Sequence, residues 1–482
     1  MKKLQLYLRM TILSFLLINS LWSMAVNPSP EVKSAGTVKV YNIKDYGAVG
    51  DGKTLNTEAI NNTIIACSKA GGGTVLVPAG RFITGTVQLK SNITLFLDKE
   101  ATIMATDNKS QFKGAEVRPE DPDQPIGIGT KSMSHWTRAL ILLEKVENVT
   151  ITGTGTIDGM VVVPVPEREI HGIMATESKN IIISDITLTR AGDWSIVGFY
   201  VEDYRVSNVT VTDGYDGIHV RQGKNLVFEH CKLYSRDDAI AGGYWENALI
   251  TDCTINSACN GIRIVLPTIN LEIKDCYIVG PGVFGHFRGT PNKPLINNLL
   301  TGIIFQPGAW AKGPGKSANI YIHDINIKDA LTALTFVLNE GNTANGILVE
   351  NVTATGITNI ACSVEGWPEG SNYENVRFKN VSVHYNITDP NFINVKNFER
   401  PGTESRPLPY WGFYVRNVKN IEFENVKLDY AGEPEHRPLM GFDGVESVLL
   451  KNVIYKNVAG VEPLKYSGNT KVKLINFKTS NK

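Results

Sequence analysis

From residue 147 onward the chain alternates β-branched apolar residues with polar ones in short runs, and the runs recur. ENVTITGTGTIDG, KNIIISDITLT, DYRVSNVTVTD, KNLVFEHCKLYS, ENALITDCTINS, INLEIKDCYIVG and ANIYIHDINIKD share one frame. A polar residue, often Asn, opens each run, and alternating apolar positions follow. Then come Asn, Asp or His, one apolar residue and two more alternations. NGILVENVTATG, YENVRFKNVSVHY, KNIEFENVKLDY and SVLLKNVIYKNV carry the frame almost to the end. Period-two alternation marks half-buried strands. A fixed repeat of 22–23 residues marks a solenoid. Such coils leave no room for crossover helices, so the strands must be parallel, and the repeat length suits three strands per coil. The expected fold class is an all-β parallel β-helix.

The text before the repeats differs. VKVYNIKDYGAVGDG reads as a strand and a Gly/Asp turn. LNTEAINNTIIACSKAG has apolar residues at helical spacing, with Thr57 as N-cap and Gly71 as the stop. GGTVLVPAGRFITGTVQLKSNITLFLDKEATIMAT gives four short β-rich runs. A short helix here would cover the first coil, because an uncapped parallel sheet exposes unpaired edges. Breaks in the spacing place long loops at 106–138, 284–318 and 386–411. Loops on one face of a solenoid commonly build its binding surface. Trp136 in the first loop is read equally as a sugar platform and as a loop anchor.

At the N-terminus, Lys2, Lys3 and Arg9 precede an apolar run over 10–22, and Ser23-Met24-Ala25 offers small residues for cleavage. This pattern predicts a signal peptide over 1–25 and a Pro/Ser-rich leader over 26–37. A single β-helix domain would fill 38–482, with its cap and first coils in 38–105. The protein is therefore expected to be exported, periplasmic or extracellular, with no membrane span. Formal net charge is zero, which argues against nucleic-acid binding, since that needs a basic face. Cys231, Cys253 and Cys276 are spaced 22 and 23, in step with the coils, and read as a buried stack rather than a metal pattern. Their spacing is also within reach of one disulfide. No cofactor or metal is expected, and the protein is expected to be a monomer.

Candidate chemistry concentrates in one repeated triplet. Asp216-Gly217-Ile218, Asp238-Ala239-Ile240 and Asn260-Gly261-Ile262 follow one another at steps of 22 residues. In register, their polar side chains stack about 4.8 Å apart. One reading is a structural Asp/Asn ladder. The other is a set of catalytic carboxylates. Asp237, directly before Asp238, favours catalysis, because a ladder needs no consecutive pair. Close carboxylates repel, and one should hold its proton to higher pH. Glycoside hydrolysis needs that division, with one acid and one carboxylate that activates water. His219, Arg263, His286 and Arg288 add positive or polar groups within one or two coils and, with Asn260, are the candidate substrate contacts. His171, His323, His384 and His436 stand alone and are expected on the surface or in turns. Glu365-Gly366-Trp367 and Asp443-Gly444 read as loop bends.

YGAVGDG, GGTVLVPAGRF, LFLDKEATI, ITGTGTIDG and YWGFYVRNVKNIEFENVKLDY resemble the pectin-degrading right-handed parallel β-helix enzymes. Around the triplet the chain is similar to the polygalacturonases of glycoside hydrolase family 28. That family carries Asn-Thr-Asp, Asp-Asp, His-Gly and Arg-Ile-Lys on successive coils. Here these are Gly214-Tyr215-Asp216, Asp237-Asp238, Asn260-Gly261 and His286-Phe287-Arg288. The resemblance implies that Asp216, Asp237 and Asp238 are catalytic. By the family pattern Asp237 is the general acid, and the other two activate water for an inverting displacement. The substrate would be a pectic or other uronic-acid-containing poly- or oligosaccharide. The neighbours that grip galacturonate differ, which implies either a retained hydrolytic core with altered recognition or altered chemistry, since Asn260 cannot titrate as the family His would. A polysaccharide lyase on the same fold and a non-catalytic glycan-binding solenoid are the alternatives.

Overall fold

The structure is a computed structural model. It describes residues 39–480 apart from 117, 119–136, 161–169, 287–295, 311–312, 340, 359, 368–369, 388–398 and 435. The expected signal peptide and leader, Trp136 and Arg288 lie outside the described residues. Val40–Lys482 forms one compact unit.

Three ladders of parallel strands run the length of this unit. One coil illustrates the path. Ile218–Glu229 starts in the ladder called C here and bends into ladder A. Lys232–Ser235 follows in ladder B. The chain then turns back to ladder C at Ile240–Thr251, one coil on. Every strand pairing between successive coils is parallel, for the reason given by the repeat: each coil closes on its own start.

The alternation does what period two predicts. In ladder C the even positions Ile196, Ile218, Ile240 and Ile262 stack in register and are fully buried. Each fills the coil interior against its neighbours above and below. The triplet's glycine has a packing reason. A Cβ on Gly217 would sit 2.5 Å from the Ala239 carbonyl oxygen, so the close approach of the coils excludes a side chain there.

Helix α1 spans Thr57–Lys69 and buries Ile60, Thr63, Ile64 and Cys67 on the first coils. Asn56, not Thr57, occupies its N-cap, and the Asn56 side chain makes no capping bond. It instead bonds Val49, Thr54 and Ile83 of the surrounding loop and strand. Thr57 Oγ1 accepts from the Gly85 N–H at 2.7 Å, tying the cap to the solenoid. Helix and solenoid thus compete for these polar groups, and tertiary bonds win. Gly71 follows the helix with a left-handed φ of 94°, as a stop requires.

All six cysteines are free and buried, and Cys231, Cys253 and Cys276 form the expected stack.

Asparagine ladders run along the coils among the described residues, and the aspartate column is not one of them; two of the ladders show the pattern. Asn225, Asn247, Asn270 and Asn319 are joined amide to amide at 2.9–3.1 Å. Asn351, Asn380, Asn425, Asn452 and Asn476 form a second series. All nine have left-handed φ near 55° and mark the sharp bends of the coil. Asn tolerates that conformation better than other side chains. Asp216, Asp238 and Asn260 do not adopt it. Their column is not part of the bend-making ladders.

Candidate active site

The turn from ladder B into ladder C carries the aspartates. Registers Ile218↔Ile240 and Ile240↔Ile262 bring Asp216, Asp238 and Asn260 into one column. The column is bonded along its length. Asp216 Oδ1 accepts from the Asp238 backbone N–H at 3.2 Å, and Asp238 Oδ1 accepts from the Asn260 backbone N–H at 3.2 Å. Asn260 Nδ2 donates to the same Oδ1 at 2.8 Å. Asp237 stands beside the column. Carboxylate oxygens of Asp216, Asp237 and Asp238 lie within 4.8 Å of one another.

His219 is held between two partners. Its Nδ1 lies 2.6 Å from Asp216 Oδ2, and its Nε2 lies 2.8 Å from Arg221 Nε. A guanidinium only donates, so Nε2 must be the bare nitrogen. The proton is therefore on Nδ1, and His219 donates it to Asp216. Trp194 stacks on the imidazole at 3.7 Å between ring centroids and 6° between planes, and His171 stacks on the far side of Trp194 at 5.4 Å. These contacts leave the His219 ring one orientation. They also give Asp216 Oδ2 a fixed hydrogen-bond donor.

Asp238 differs. Burial pushes its carboxyl up to about 6; Arg263 opposes the rise, while Asp237 and Glu404 add to it. Arg263 Nη1 is 3.5 Å from Asp238 Oδ2 and 3.1 Å from Glu404 Oε1. Its Nη2 donates to Gln306 Oε1 at 3.2 Å and to the Thr403 carbonyl. Asp237 faces His286, whose Nε2 is 3.5 Å from Asp237 Oδ1. The three carboxyls thus have different partners: His219 for Asp216, His286 for Asp237, and Arg263 with Asn260 for Asp238. A second set could hold a metal: Asp237, Cys259 and His286 each bring one ligand atom within 4.8 Å of the others.

The site gathers all the expected residues that the structure describes. His219, Asn260 and Arg263 are at most 4% exposed and bond the aspartates or the Glu404 loop. His171, expected on the surface, is buried beneath Trp194. Glu365, expected in a bend, is fully buried and grips Arg406 with both oxygens at 3.0 and 2.8 Å. It anchors the loop that carries Glu404.

Glu404 was absent from the sequence reading, as were Trp194, Arg221 and Gln306. Its loop continues across ladder C: Ser405 Oγ bonds the Thr301 hydroxyl at 2.7 Å and the Thr335 hydroxyl at 2.9 Å, on the next two coils. Arg221 and Trp194 did have a signal. Arg221 stands on ladder C beside the triplet, at an outward position of the alternating strand, and Trp194 lies in the turn just before ladder C, 22 residues before Asp216.

Comparison with known proteins agrees with this geometry. The family model described as rhamnogalacturonase A/epimerase, pectate lyase-like, matches residues 40–279. A probable polygalacturonase of Vitis vinifera is 26% identical over 385 residues, covering 71% of this chain and 74% of its own length. An exo-poly-alpha-D-galacturonosidase of Dickeya chrysanthemi is 38% identical over 129 residues, covering 25% of this chain and 19% of its own length. Among solved structures, an exopolygalacturonase from Thermotoga maritima superposes with a TM-score of 0.56 at 15% identity, covering 94% of this chain and 93% of its own. That last likeness concerns the fold, a right-handed parallel β-helix. With the aspartate column on such coils, the chain is similar to the polygalacturonases, and its residues 40–279 match the rhamnogalacturonase A/epimerase, pectate lyase-like family.

Proposed function

We propose that the protein is an exported glycoside hydrolase that cleaves glycosidic bonds in a pectic, uronic-acid-containing poly- or oligosaccharide. The observation that carries this reading is the bonded column of Asp216 and Asp238 with Asp237 beside it. In this reading Asp237, the most exposed of the three, protonates the leaving oxygen. Asp216, oriented by His219, and Asp238 activate the water. Carboxylates this close repel one another, which favours a shared proton that the leaving group can take. No cofactor is required for these steps.

Action at a chain end is part of the proposal. The segment 399–406 lies over ladder C immediately beyond Arg263, fixed by Ser405 to Thr301 and Thr335 and by Arg406 to Glu365. A wall there would stop a polysaccharide from passing along the groove. Relatives named for exo-action, such as the Dickeya protein, support the same reading.

The lyase alternative needs a base near the scissile residue. Arg263 is a poor candidate, because Asp238, Glu404, Gln306 and Thr403 surround its guanidinium. The test is Asp237→Asn on a panel of pectic fragments with mass detection of products. Loss of reducing-sugar release with the fold intact is expected. Full activity in that variant would overturn the proposal, and ultraviolet-absorbing unsaturated products would favour the lyase. An export test completes it: a fusion carrying 1–37 should be found outside the cytoplasm and cleaved near residue 25.

A further inference from the structure

Resting on the hydrolase reading, we propose that Glu404 is a specificity-determining residue that makes the subsite beside Asp238 and Arg263 one for an uncharged sugar. Arg263 is a cation 3.5 Å from Asp238 of the column, and a substrate carboxylate would be expected to seek it. That position is already filled from within. Glu404 Oε1 sits 3.1 Å from Arg263 Nη1, and its Oε2 sits 3.2 Å from Asn260 Nδ2. Two donors on neighbouring side chains therefore hold the Glu404 carboxylate as they would hold a bound acid.

The charge balance follows. Asp216, Asp237, Asp238 and Glu404 surround this place, and Arg263 is the one cation among the described residues that contacts both Asp238 and Glu404. A free uronate entering here would meet Glu404 instead of an available guanidinium. It would meet repulsion from Glu404 where Arg263 is already engaged, which is discrimination by a built-in clash of charge. A neutral sugar or a methyl-esterified uronate escapes that repulsion. Glu404 is held rigidly enough to enforce it. Its neighbour Ser405 bonds two hydroxyls on successive coils, and Arg406 grips buried Glu365 with both arms. The Glu404 side chain is still 23% exposed, so a ligand can meet it.

The experiment uses the full chain and oligogalacturonates of one length, either as the free acid or fully methyl-esterified. Wild type, Glu404→Gln and Ser405→Ala are compared by kcat/KM and by calorimetric binding of both ligands. Wild type should prefer the ester by about tenfold, a size typical of a single discriminating contact. Glu404→Gln removes the charge, keeps an acceptor for Arg263, and should reduce that preference to twofold or less. Ser405→Ala loosens the same loop without changing charge and should retain the wild-type ratio. A wild-type preference for the free acid, or a Glu404→Gln ratio within twofold of wild type, overturns the inference. If wild type cleaves no pectic ligand, the hydrolase reading fails, and the binding ratio still decides Glu404: equal affinity for acid and ester in wild type refutes its role.

Discussion

Replacing Asp238 by Asn should make the protein relatively more stable at pH 7.5 than at pH 4. The reasoning starts from burial. Asp238 is 6% exposed, and its carboxyl is pushed from 3.8 to about 6. A carboxyl whose folded pKa exceeds its unfolded value binds more protons in the folded state between the two. Stability therefore falls as pH rises from about 4 to about 6 and stays lower above that window. The rise corresponds to about 3 kcal/mol at roughly 1.4 kcal/mol per pKa unit. Asn cannot ionise and lacks this loss. Its new hydrogen bonds near Arg263 and Asn260 differ from those of Asp238, but that difference is the same at both pH values. Thermal unfolding of wild type and variant at pH 4 and 7.5 gives a double difference in which it cancels. For a domain of this size, about 3 kcal/mol is on the order of 3 °C in Tm. A double difference of zero would mean that Asp238 titrates as an ordinary carboxyl. A reversed sign would mean that Arg263 outweighs burial and holds the carboxyl down.

Other outcomes follow from the same contacts. With Asp238 on the water-activating side, kcat/KM should rise with pH through about 6 as it ionises; a fall through that range would make Asp238 the acid instead. Arg221→Met frees His219 Nε2 and lets the ring take either tautomer. It should lower kcat about 10–100-fold with little change in KM or Tm, and an unchanged kcat refutes the tautomer assignment. Arg406→Ala leaves buried Glu365 without its bidentate partner and should cost about 3–5 kcal/mol, seen as a lower unfolding temperature. The same variant should add longer oligosaccharides to a product mixture otherwise made of chain-end fragments. Magnetic resonance of the first-formed product should show inverted anomeric configuration; retention would instead make one aspartate of the cluster a nucleophile.

The fold was legible because a solenoid writes its register into its repeat. Equal steps between Asp216, Asp238 and Asn260 led directly to one column, and the column is bonded as equal steps require. The same regularity separated structural polar residues from chemical ones only once backbone angles were known. Asn247 and Asn260 look alike in the sequence. Asn247 has a φ of 60° and sits in an exposed amide ladder, whereas Asn260 is buried against Asp238. Helix α1 was placed correctly, but its cap moved one residue because Asn56 and Thr57 were taken by contacts with the solenoid.

What stayed hidden was whatever did not repeat. Glu404 reaches Arg263 across 141 residues of chain, from a loop that lacks the solenoid's period. Nothing within TESR distinguishes it from a solvated surface turn. Glu365 was misread for the complementary reason. A charged residue beside Gly and Trp looks like a bend, and its burial makes sense only with Arg406, 41 positions away. The two errors are one contact network seen from its two ends. Repeats specify a scaffold whose outward face is nearly free of constraint, and non-repeating loops then decide which outward residues become a site. Arg263 illustrates this directly. Its position on ladder C is set by the coil, but Glu404 decides whether its charge meets a substrate, so the loop, rather than the coil, is the place to alter specificity while leaving the aspartate column intact.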